Sequence, residues 1–203
     1  MRIPLIGIAL VAAAAMNANA QTARATLAPT SKVWIEGTSN VHDWKAEASQ
    51  VEAVIELDPA GLSAAPALML RKVTLTIPVV GLKSGHGKMD ENMRKALKAD
   101  KNPEIRYTLA SVELLEGATK ETFTLRASGT LSLAGAENAV TLDILATRQA
   151  DGSIKATGTV PVKMTAFAVK PPTAMLGTIR CGDEVKVKFD LTVGPKVIAQ
   201  LDK

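Results

Sequence analysis

The stretch TFTLRASGTLSL, residues 122–133, decides the fold class of this chain. Small or apolar side chains alternate in it with polar ones, and the first set is Phe123, Leu125, Ala127, Gly129, Leu131 and Leu133. Successive side chains of a β-strand point to opposite faces, so this alternation predicts a strand with one buried face.

The same alternation recurs on both sides of this stretch. It covers residues 51–57, 72–79, 105–109, 140–146, 154–162 and 185–193. Turn-forming residues separate several of these segments, at 58–61, 134–138 and 151–153. Short turns join antiparallel strands, because parallel strands need a long crossover. With two short strands near the N-terminus, we expect an all-β domain of about eight strands, a number that closes into a barrel able to hold one ligand.

The N-terminus predicts export. One cation precedes an apolar run over residues 3–16, and Ala18 and Ala20 then supply small residues at both positions that a signal peptidase recognises. The run is shorter than the roughly 20 residues that span a bilayer, so residues 1–20 are interpreted as a cleaved signal peptide. Residues 21–203 would then form a single domain, soluble and exported to the periplasm.

Composition excludes several classes of protein. With 24 Lys and Arg residues against 20 Asp and Glu residues, the net charge is +4. This charge is too small and too dispersed for nucleic-acid binding. Cys181 is the only cysteine, so the fold cannot depend on internal disulfides. An inert, partly buried thiol is one interpretation of Cys181. A thiol activated by Arg180 and a covalent link between two chains stay open.

Two segments break the alternation. Residues 85–103 carry apolar side chains at helical spacing, namely Met89, Met93, Ala96 and Leu97. This spacing predicts one amphipathic helix, stopped by Pro103, that lies over one end of the barrel. Residues 164–177 are apolar, lack a sustained period and contain a Pro-Pro pair, so we expect an irregular connection buried at the barrel mouth.

The stretch VWIEGTSNVHDWKAE, residues 33–47, holds both tryptophans and one of the two histidines. On a strand over residues 41–48, His42 and Trp44 share the inner face and Asp43 faces outwards. His42 and Asp43 therefore cannot form a catalytic dyad. A buried histidine bonded to the backbone is one interpretation, and a polar anchor for a ligand headgroup is the other.

The sequence predicts neither a metal site nor a nucleophilic centre. Two histidines and one cysteine do not supply the three or four close ligands that zinc needs. Ser84 follows no nucleophile-elbow pattern. We therefore expect no cofactor and no enzymatic activity.

Small inward residues predict a cavity. Ala53, Ala127, Gly129, Ala146 and Gly158 are among those expected inside, and only 3% of residues are aromatic, which leaves a void unless a ligand fills it. A long apolar ligand would remove the cost of that void, and flexible methionines suit such a surface. The predicted ligand-binding residues are His42, Trp44, Met89, Met93, Leu97, Phe123, Met164, Phe167 and Met175.

Three segments carry a resemblance to a known family. They are VWIEGTSNVHDW at 33–44, IPVVGLKSGHGKMDENMRKALKADKNPEIRY at 77–107 and GTVPVKMTAFAVKPPTAMLGTIRCGDEVKVKFDL at 158–191. In their order and motifs they resemble the YceI-like polyisoprenoid-binding family. Ser39, His42 and Trp44 match its Ser-x-x-His-x-Trp motif. The later motifs, Met-Thr-x-Phe and Pro-Pro-Thr, are matched by Met164, Phe167, Pro171, Pro172 and Thr173.

The resemblance implies an extended, lipocalin-like antiparallel β-barrel with a helix over one end, exported to the periplasm and not known for a catalytic reaction. Its tunnel would hold a polyisoprenoid chain of the kind carried by quinones or prenyl phosphates. The helix departs from the family pattern, because Met89-Asp90-Glu91-Asn92-Met93 stands where many members have Arg-Asp followed by His and Leu. Lys83, Lys88 and Arg94 lie around this helix and are available for an anionic head.

The leading hypothesis is an exported lipid-binding or carrier protein for a polyisoprenoid or similar long apolar lipid, with no nucleic-acid partner. One alternative is an enzyme or redox-associated protein that acts on a quinone-like substrate through His42. The other is a packed structural barrel without a ligand. Transient contact with a membrane and a homodimer stay open.

Overall fold

The computed structural model describes residues 23–57, 70–115, 119 and 121–194. The predicted signal peptide over residues 1–20 and the predicted turn at 58–61 lie outside these described residues.

Antiparallel strands dominate the described residues. They are β1 (Ala23–Ala25), β2 (Lys32–Ser39), β3 (Trp44–Ala48), β4 (Glu52–Leu57), β5 (Leu70–Pro78), β6 (Leu82–Lys83), β7 (Glu104–Leu114), β8 (Thr122–Leu133), β9 (Ala136–Arg148), β10 (Ile154–Lys163), β11 (Thr173–Ala174) and β12 (Ile179–Val193). The helix α1 spans Gly87–Ala96, and short 3-10 helices span Val79–Gly81 and Met164–Phe167.

The expected number of about eight strands is too low, since the described residues form twelve. Nine of the twelve have five residues or more. The others, β1, β6 and β11, have three, two and two residues. Strands this short cannot display a period of two, so the sequence pattern gives no sign of them.

The strands form one curled sheet. Among the described strands every pairing is antiparallel, and the order is β1-β4-β5-β7-β8-β9-β10-β12-β2-β3-β6, with β11 beside β12. Five strands separate β4 from β12 in this order. Even so, β1 pairs with β4, and Leu27 just after it bridges to Val193 of β12. Such a short segment reaches both strands only because the sheet bends back on itself.

The alternating residues face the inside of the curl, as predicted. On β8, Phe123, Leu125 and Ala127 are buried, whereas Arg126 is exposed and forms an ion pair with Asp143 of β9 at 2.8 Å.

A bulge in β7 shifts this alternation. Gly129 pairs with Leu109 and the preceding residue of β8 pairs with Ser111, so β7 contains one extra residue at this point. Leu109 and Val112, three positions apart, consequently both face inwards. The predicted inner face of β7 ended at Leu109 and did not anticipate this shift.

The helix ends earlier than the sequence suggests. Lys98 adopts a left-handed conformation with φ 53°, and the amide of Ala99 donates to the carbonyl oxygen of Arg94 at 3.0 Å. A left-handed residue just past the last turn is a common way to end a helix. Pro103 therefore lies beyond the helix and is not what stops it.

The largest buried cluster lies where α1 and residues 164–169 meet the sheet. Its members are Val79, Leu82, Leu97, Ala134, Val162, Met164, Phe167, Val169 and Val185. Each large side chain buried here contributes about 1.5–3 kcal/mol relative to exposure. This cluster therefore holds α1 and the 164–169 segment against the strands.

Candidate functional site

The curled sheet surrounds an apolar cavity of about 670 Å³. This volume lies within the roughly 300–1,000 Å³ typical of small-molecule sites. The cavity is long, since Phe123 and Leu133, at opposite ends of β8, both line it. Their separation of ten residues corresponds to roughly 33 Å of strand at about 3.3 Å per residue.

Every strand from β2 to β12 contributes to the wall, which is mainly aliphatic. Lining residues include Val33, Ile35, Ile55, Leu75, Leu109, Leu125, Leu131, Leu142, Ile144, Val160, Val187 and Leu191. Such a wall offers a ligand burial and dispersion contacts but few hydrogen bonds.

Polar lining residues gather at one opening of the cavity. His42, His86, Lys88 and Thr173 line it and are exposed to solvent, so they mark where it opens. Because β6 runs antiparallel to β3, the chain that leaves β6 towards His86 heads for the end of β3 where Trp44 lies. This opening, defined by His42, His86, Lys88 and Thr173, is called the mouth below.

Ser39 builds the turn that presents His42 at the mouth. Its hydroxyl donates to the carbonyl oxygen of His42 at 2.7 Å and accepts from the amides of Val41 and His42 at 3.2 and 3.1 Å. Nδ1 of His42 lies 3.0 Å from the carbonyl oxygen of Asp43. The strand begins only at Trp44, so His42 is exposed, and its interpretation as a buried histidine is wrong.

Three aromatic rings of the wall lie over glycines of adjacent strands. The pairs are Trp44 over Gly37, Tyr107 over Gly129 and Phe189 over Gly158. A Cβ atom at any of these glycines would overlap the ring. Gly129 and Gly158 were expected to leave empty space, but each accommodates an aromatic ring instead. The rings consequently sit close to the backbone and form part of the wall.

The hydroxyl of Tyr107 is unusual. Among the described residues it is the only buried side-chain polar atom without a hydrogen-bond partner. An unsatisfied buried group costs about 1–3 kcal/mol. Burial also raises the pKa of Tyr107 to about 12.

Ser84 and Asp90 fix the start of α1 beside the mouth. Asp90 is buried and accepts hydrogen bonds from the hydroxyl and amide of Ser84 at 2.6 and 2.8 Å. These two bonds hold the pKa of Asp90 below its usual range, and the bond from the hydroxyl has the larger effect. Ser84 thus stabilises the loop that carries His86, whose Nδ1 lies 3.3 Å from the carbonyl oxygen of Ser84.

The apolar stripe of α1 faces the cavity. Its lining residues are Met89, Asn92, Met93 and Ala96, with Leu97 just after the helix, spaced three or four apart as predicted for one helical face.

The charged side of α1 is internally paired. Glu91 accepts hydrogen bonds from Lys95 at 2.6 Å and from Lys88 at 2.9 Å. Together these bonds lower the pKa of Glu91 to about 2, and the bond from Lys95 has the larger effect. Of the two lysines, Lys88 lines the cavity and Lys95 does not. The other cations named from the sequence, Lys83 and Arg94, are not lining residues either.

Thr165 ties the 164–167 helix to β12. Its amide and hydroxyl donate to the carboxylate of Asp183 at 2.9 and 2.7 Å. This anchoring places Met164 against the cavity and Phe167 in the buried core beside it. The Met-Thr-x-Phe motif therefore stabilises this short helix against β12 and the core.

Most of the predicted ligand-binding residues come together in the wall. Those that line the cavity are His42, Trp44, Met89, Met93, Leu97, Phe123 and Met164. The structure does not bring Phe167 and Met175 to it. Phe167 is buried on the core side of its 3-10 helix, and Met175 is 73% exposed in a turn that leaves the wall after β11.

Sequence reasoning missed His86, Asn92 and Thr173 as lining residues. Asn92 could have been found, because it lies three positions after Met89 on the same helical face. His86 lies three residues after the two-residue strand β6, and Thr173 belongs to the two-residue strand β11, so neither position has a periodic signal.

Cys181 lines the cavity and is partly buried, and burial raises the pKa of its thiol. The neighbouring guanidinium does not activate it, since Nε of Arg180 donates to the carbonyl oxygen of Gly177 at 3.0 Å. The thiol is therefore a weak nucleophile at neutral pH.

Within the described ranges, no group of three or more His, Cys, Asp or Glu side chains is arranged to hold a metal ion. None of the helices in the described part of the chain is long and apolar enough to span a bilayer.

A curled antiparallel sheet around a long apolar cavity, with polar groups at its mouth, places this protein in the class of barrel-like β proteins that enclose an internal cavity. The chain belongs to the YceI-like domain family, whose model matches residues 22–193. No curated protein matches the chain significantly.

Solved structures share the fold. BcnA of Burkholderia cenocepacia has a TM-score of 0.64 at 19% identity, over 80% of this chain and 95% of BcnA. A polyisoprenoid-binding domain from Saccharophagus degradans, implicated in plant cell wall breakdown, has a TM-score of 0.66 at 14% identity, over 86% of this chain and 99% of that domain. The YCEI protein of Campylobacter jejuni has a TM-score of 0.55 at 20% identity, over 72% of this chain and 82% of that protein.

Proposed function

We propose that this protein is an exported carrier that holds a long isoprenoid amphiphile, of the quinone or prenyl phosphate kind, in its cavity. The observation that carries the proposal is the distribution of polarity. The wall is aliphatic over most of its length, and the exposed polar groups stand at the mouth. An amphiphile with a long apolar tail and a small polar head has the same distribution.

The tail would supply most of the affinity. Burial contributes about 0.8 kcal/mol per CH2 group, so a tail of several isoprene units needs no specific polar contact. An empty cavity carries the opposite cost. At about 24 cal/mol per Å³, even a tenth of the 670 Å³ left as a dry void would cost about 1.6 kcal/mol.

The mouth suits a head with acceptor oxygens. His42 and His86 can each donate through a ring nitrogen, Lys88 adds a cation, and Asn92, one turn of α1 after Lys88, can donate through its amide. Quinone carbonyls and phosphate oxygens are both acceptors. These four side chains are therefore the residues that would orient the head.

Two further observations support the proposal. The chain belongs to the YceI-like domain family, and the Saccharophagus degradans domain with the same fold is described as polyisoprenoid-binding. The sequence pattern of residues 1–20 supports export to the periplasm, where a carrier between membranes would act.

The alternatives have less support. A cavity of this size weighs against a packed structural barrel. An enzyme that acts through His42 as an acid or base would need a titratable partner to activate the imidazole. The contact found for Nδ1 is the backbone carbonyl oxygen of Asp43, which supplies no acid–base partner.

Solvent extraction of the protein purified from the periplasm, followed by mass spectrometry, tests the proposal. Wild type should yield a stoichiometric isoprenoid. Ala156→Phe, which adds a ring on the cavity side of β10, should yield much less, and Thr159→Phe, at an exposed position of the same strand, should match wild type. An empty extract, together with no rise in melting temperature when isoprenoids are added to wild type, would overturn the proposal.

A further inference from the structure

The most exposed large apolar side chains of the described residues are Leu176, Met175 and Val41, at 109%, 73% and 62% of full exposure. They lie in two connecting segments, referred to as the two loops: residues 39–43, and residues 170–180, which include β11 and the first residues of β12. Isolated exposed apolar residues are normal, but a cluster of them marks an interaction site.

Hydrogen bonds fasten the two loops to each other. The amide of Asn40 donates to the carbonyl oxygen of Arg180 at 3.1 Å, and the amide of Arg180 donates to Oδ1 of Asn40 at 2.8 Å. Nδ2 of Asn40 also donates to the carbonyl oxygen of Thr178 at 2.9 Å. Val41 follows Asn40 directly, and the amide of Thr178 donates to the carbonyl oxygen of Met175 at 3.1 Å. The two loops thus form one hydrogen-bonded surface, called the rim, and the three apolar side chains belong to it.

The rim borders the mouth on one side. His42, next to Val41, lines the cavity, as do Thr173 and Ile179 on either side of the Met175–Leu176 turn. The apolar side chains are therefore continuous with the opening through which a ligand would pass.

The backbone holds this turn outwards at a cost. Met175 and Leu176 adopt left-handed conformations with φ 50° and 55°. For residues other than glycine this costs about 1–2 kcal/mol each. Leu176 is fully exposed, so packing of its own side chain does not offset that cost. A strained turn with apolar side chains in solvent is better explained by an external contact than by the stability of the fold.

The charges of the rim favour an anionic partner. The two loops contain two cations, Lys170 and Arg180, but a single carboxylate, Asp43. A basic residue near an anionic bilayer contributes about 1 kcal/mol of attraction. Apolar side chains flanked by cations are the pattern of a surface that binds the interface of a bilayer.

We propose that Val41, Met175 and Leu176 form a docking tip that inserts into the surface of an anionic bilayer and brings the mouth to the lipid. This rests on the proposed carrier function, since docking serves to load or release a membrane-resident ligand through the mouth. The tip would enter only the interfacial layer, with the sheet remaining outside.

The test is sedimentation of the mature protein with vesicles made of equal parts phosphatidylcholine and phosphatidylglycerol. The variant Met175→Ser/Leu176→Ser should lower the partition coefficient at least about tenfold, because both side chains lose the burial that drives insertion. The matched control Val54→Ser/Leu145→Ser removes two exposed apolar side chains on β4 and β9 and should bind as wild type does.

A parallel thermal-shift measurement with farnesol, an uncharged isoprenoid alcohol, separates this proposal from the carrier function. Both double variants should keep the wild-type shift. Vesicle binding unaffected by the tip variant, or absent in wild type that still responds to farnesol, would overturn docking and leave the carrier function standing. Absence of the farnesol shift would instead count against the carrier function. A wild-type dimer that the tip variant converts to monomer, without vesicle binding by either, would assign the tip to a second copy and overturn docking.

Discussion

The indole ring of Trp44 occupies the space above Gly37, its partner across the β2–β3 pair. Nε1 of Trp44 donates to the carbonyl oxygen of Thr38 at 3.1 Å, which fixes the ring in this position. Trp44 lines the cavity next to the mouth. The absence of a side chain at position 37 therefore determines where this part of the wall stands.

The variant Gly37→Ala should displace the indole. Its methyl group would overlap the ring, so either the Trp44 bond to Thr38 breaks or the strands separate, and overpacking of this kind costs about 1–3 kcal/mol. Urea unfolding followed by circular dichroism measures the loss. The matched control is Gly87→Ala, where the added carbon has no contact within 4 Å beyond its chain neighbours and the backbone of its own helix. Equal stability of the two variants would show that the ring yields without cost.

Tyr107→Phe should stabilise the ligand-free protein, by about 1 kcal/mol, because it removes a buried hydroxyl that lacks a partner among the described residues. Denaturant unfolding at neutral pH provides the comparison with wild type. A loss of stability instead would reveal a hydrogen bond to this hydroxyl in solution.

The pH dependence of Tyr107 follows from its burial. Its pKa in the folded protein is about 12, raised from 10.0 by burial. A raised pKa means that the folded protein keeps the phenol protonated at a pH where the unfolded chain would ionise it. The free energy of unfolding is therefore unaffected by this group below about pH 10 and falls as the pH rises from there towards 12. Tyr107 is the only tyrosine, so tyrosinate absorbance reports it directly. Its midpoint in the folded protein should lie well above that in denaturant, and coincident midpoints would contradict the burial.

The length of each periodic segment decided how much of the fold and of the cavity wall the sequence could predict. The long strands repeat every two residues, so the inner positions of β8, from Phe123 to Leu133, were predictable. The α1 stripe was predictable for the same reason, with a period near 3.6. Local periodicity therefore identified most of the wall.

The remainder depends on contacts between residues far apart in the chain. The rim is held by hydrogen bonds between Asn40 and Arg180, which are 140 positions apart. His42 was placed on a strand because the hydrogen bonds that Ser39 makes within the turn leave no periodic trace. The exposed position of Met175 could not be inferred either. Its backbone is left-handed, a conformation that a glycine usually signals in the sequence, and here the residue is a methionine.

Cys181 offers a direct report of cavity occupancy. Its thiol lines the cavity and its pKa is raised by burial, so it should react slowly with an uncharged maleimide. Saturation with a long isoprenoid should slow the reaction further, by about tenfold, because it covers the wall. Cys181 is the only thiol, so intact mass gives the labelled fraction without ambiguity. The same rate with and without ligand would mean that the tail does not reach Cys181.

Lys88 and Lys95 provide a matched pair for identifying the head of the ligand. Both lysines pair with Glu91, at 2.9 and 2.6 Å, but Lys88 lines the cavity and Lys95 does not. If the head is a phosphate, Lys88→Ala should weaken binding of a prenyl phosphate by about three- to tenfold, as expected for an exposed charge pair of about 1 kcal/mol.

Lys95→Ala removes the same charge and frees the same carboxylate, so it should leave that affinity unchanged. Binding of an uncharged prenol, measured by calorimetry alongside, should be equal in wild type and both variants, because the tail contacts remain. Equal phosphate affinity in the two variants would assign the head contacts to His42, His86 and Asn92, whose N–H donors suit the carbonyl oxygens of a quinone. A loss of prenol binding in Lys88→Ala would instead indicate that the lysine supports the shape of the mouth rather than the charge of the head.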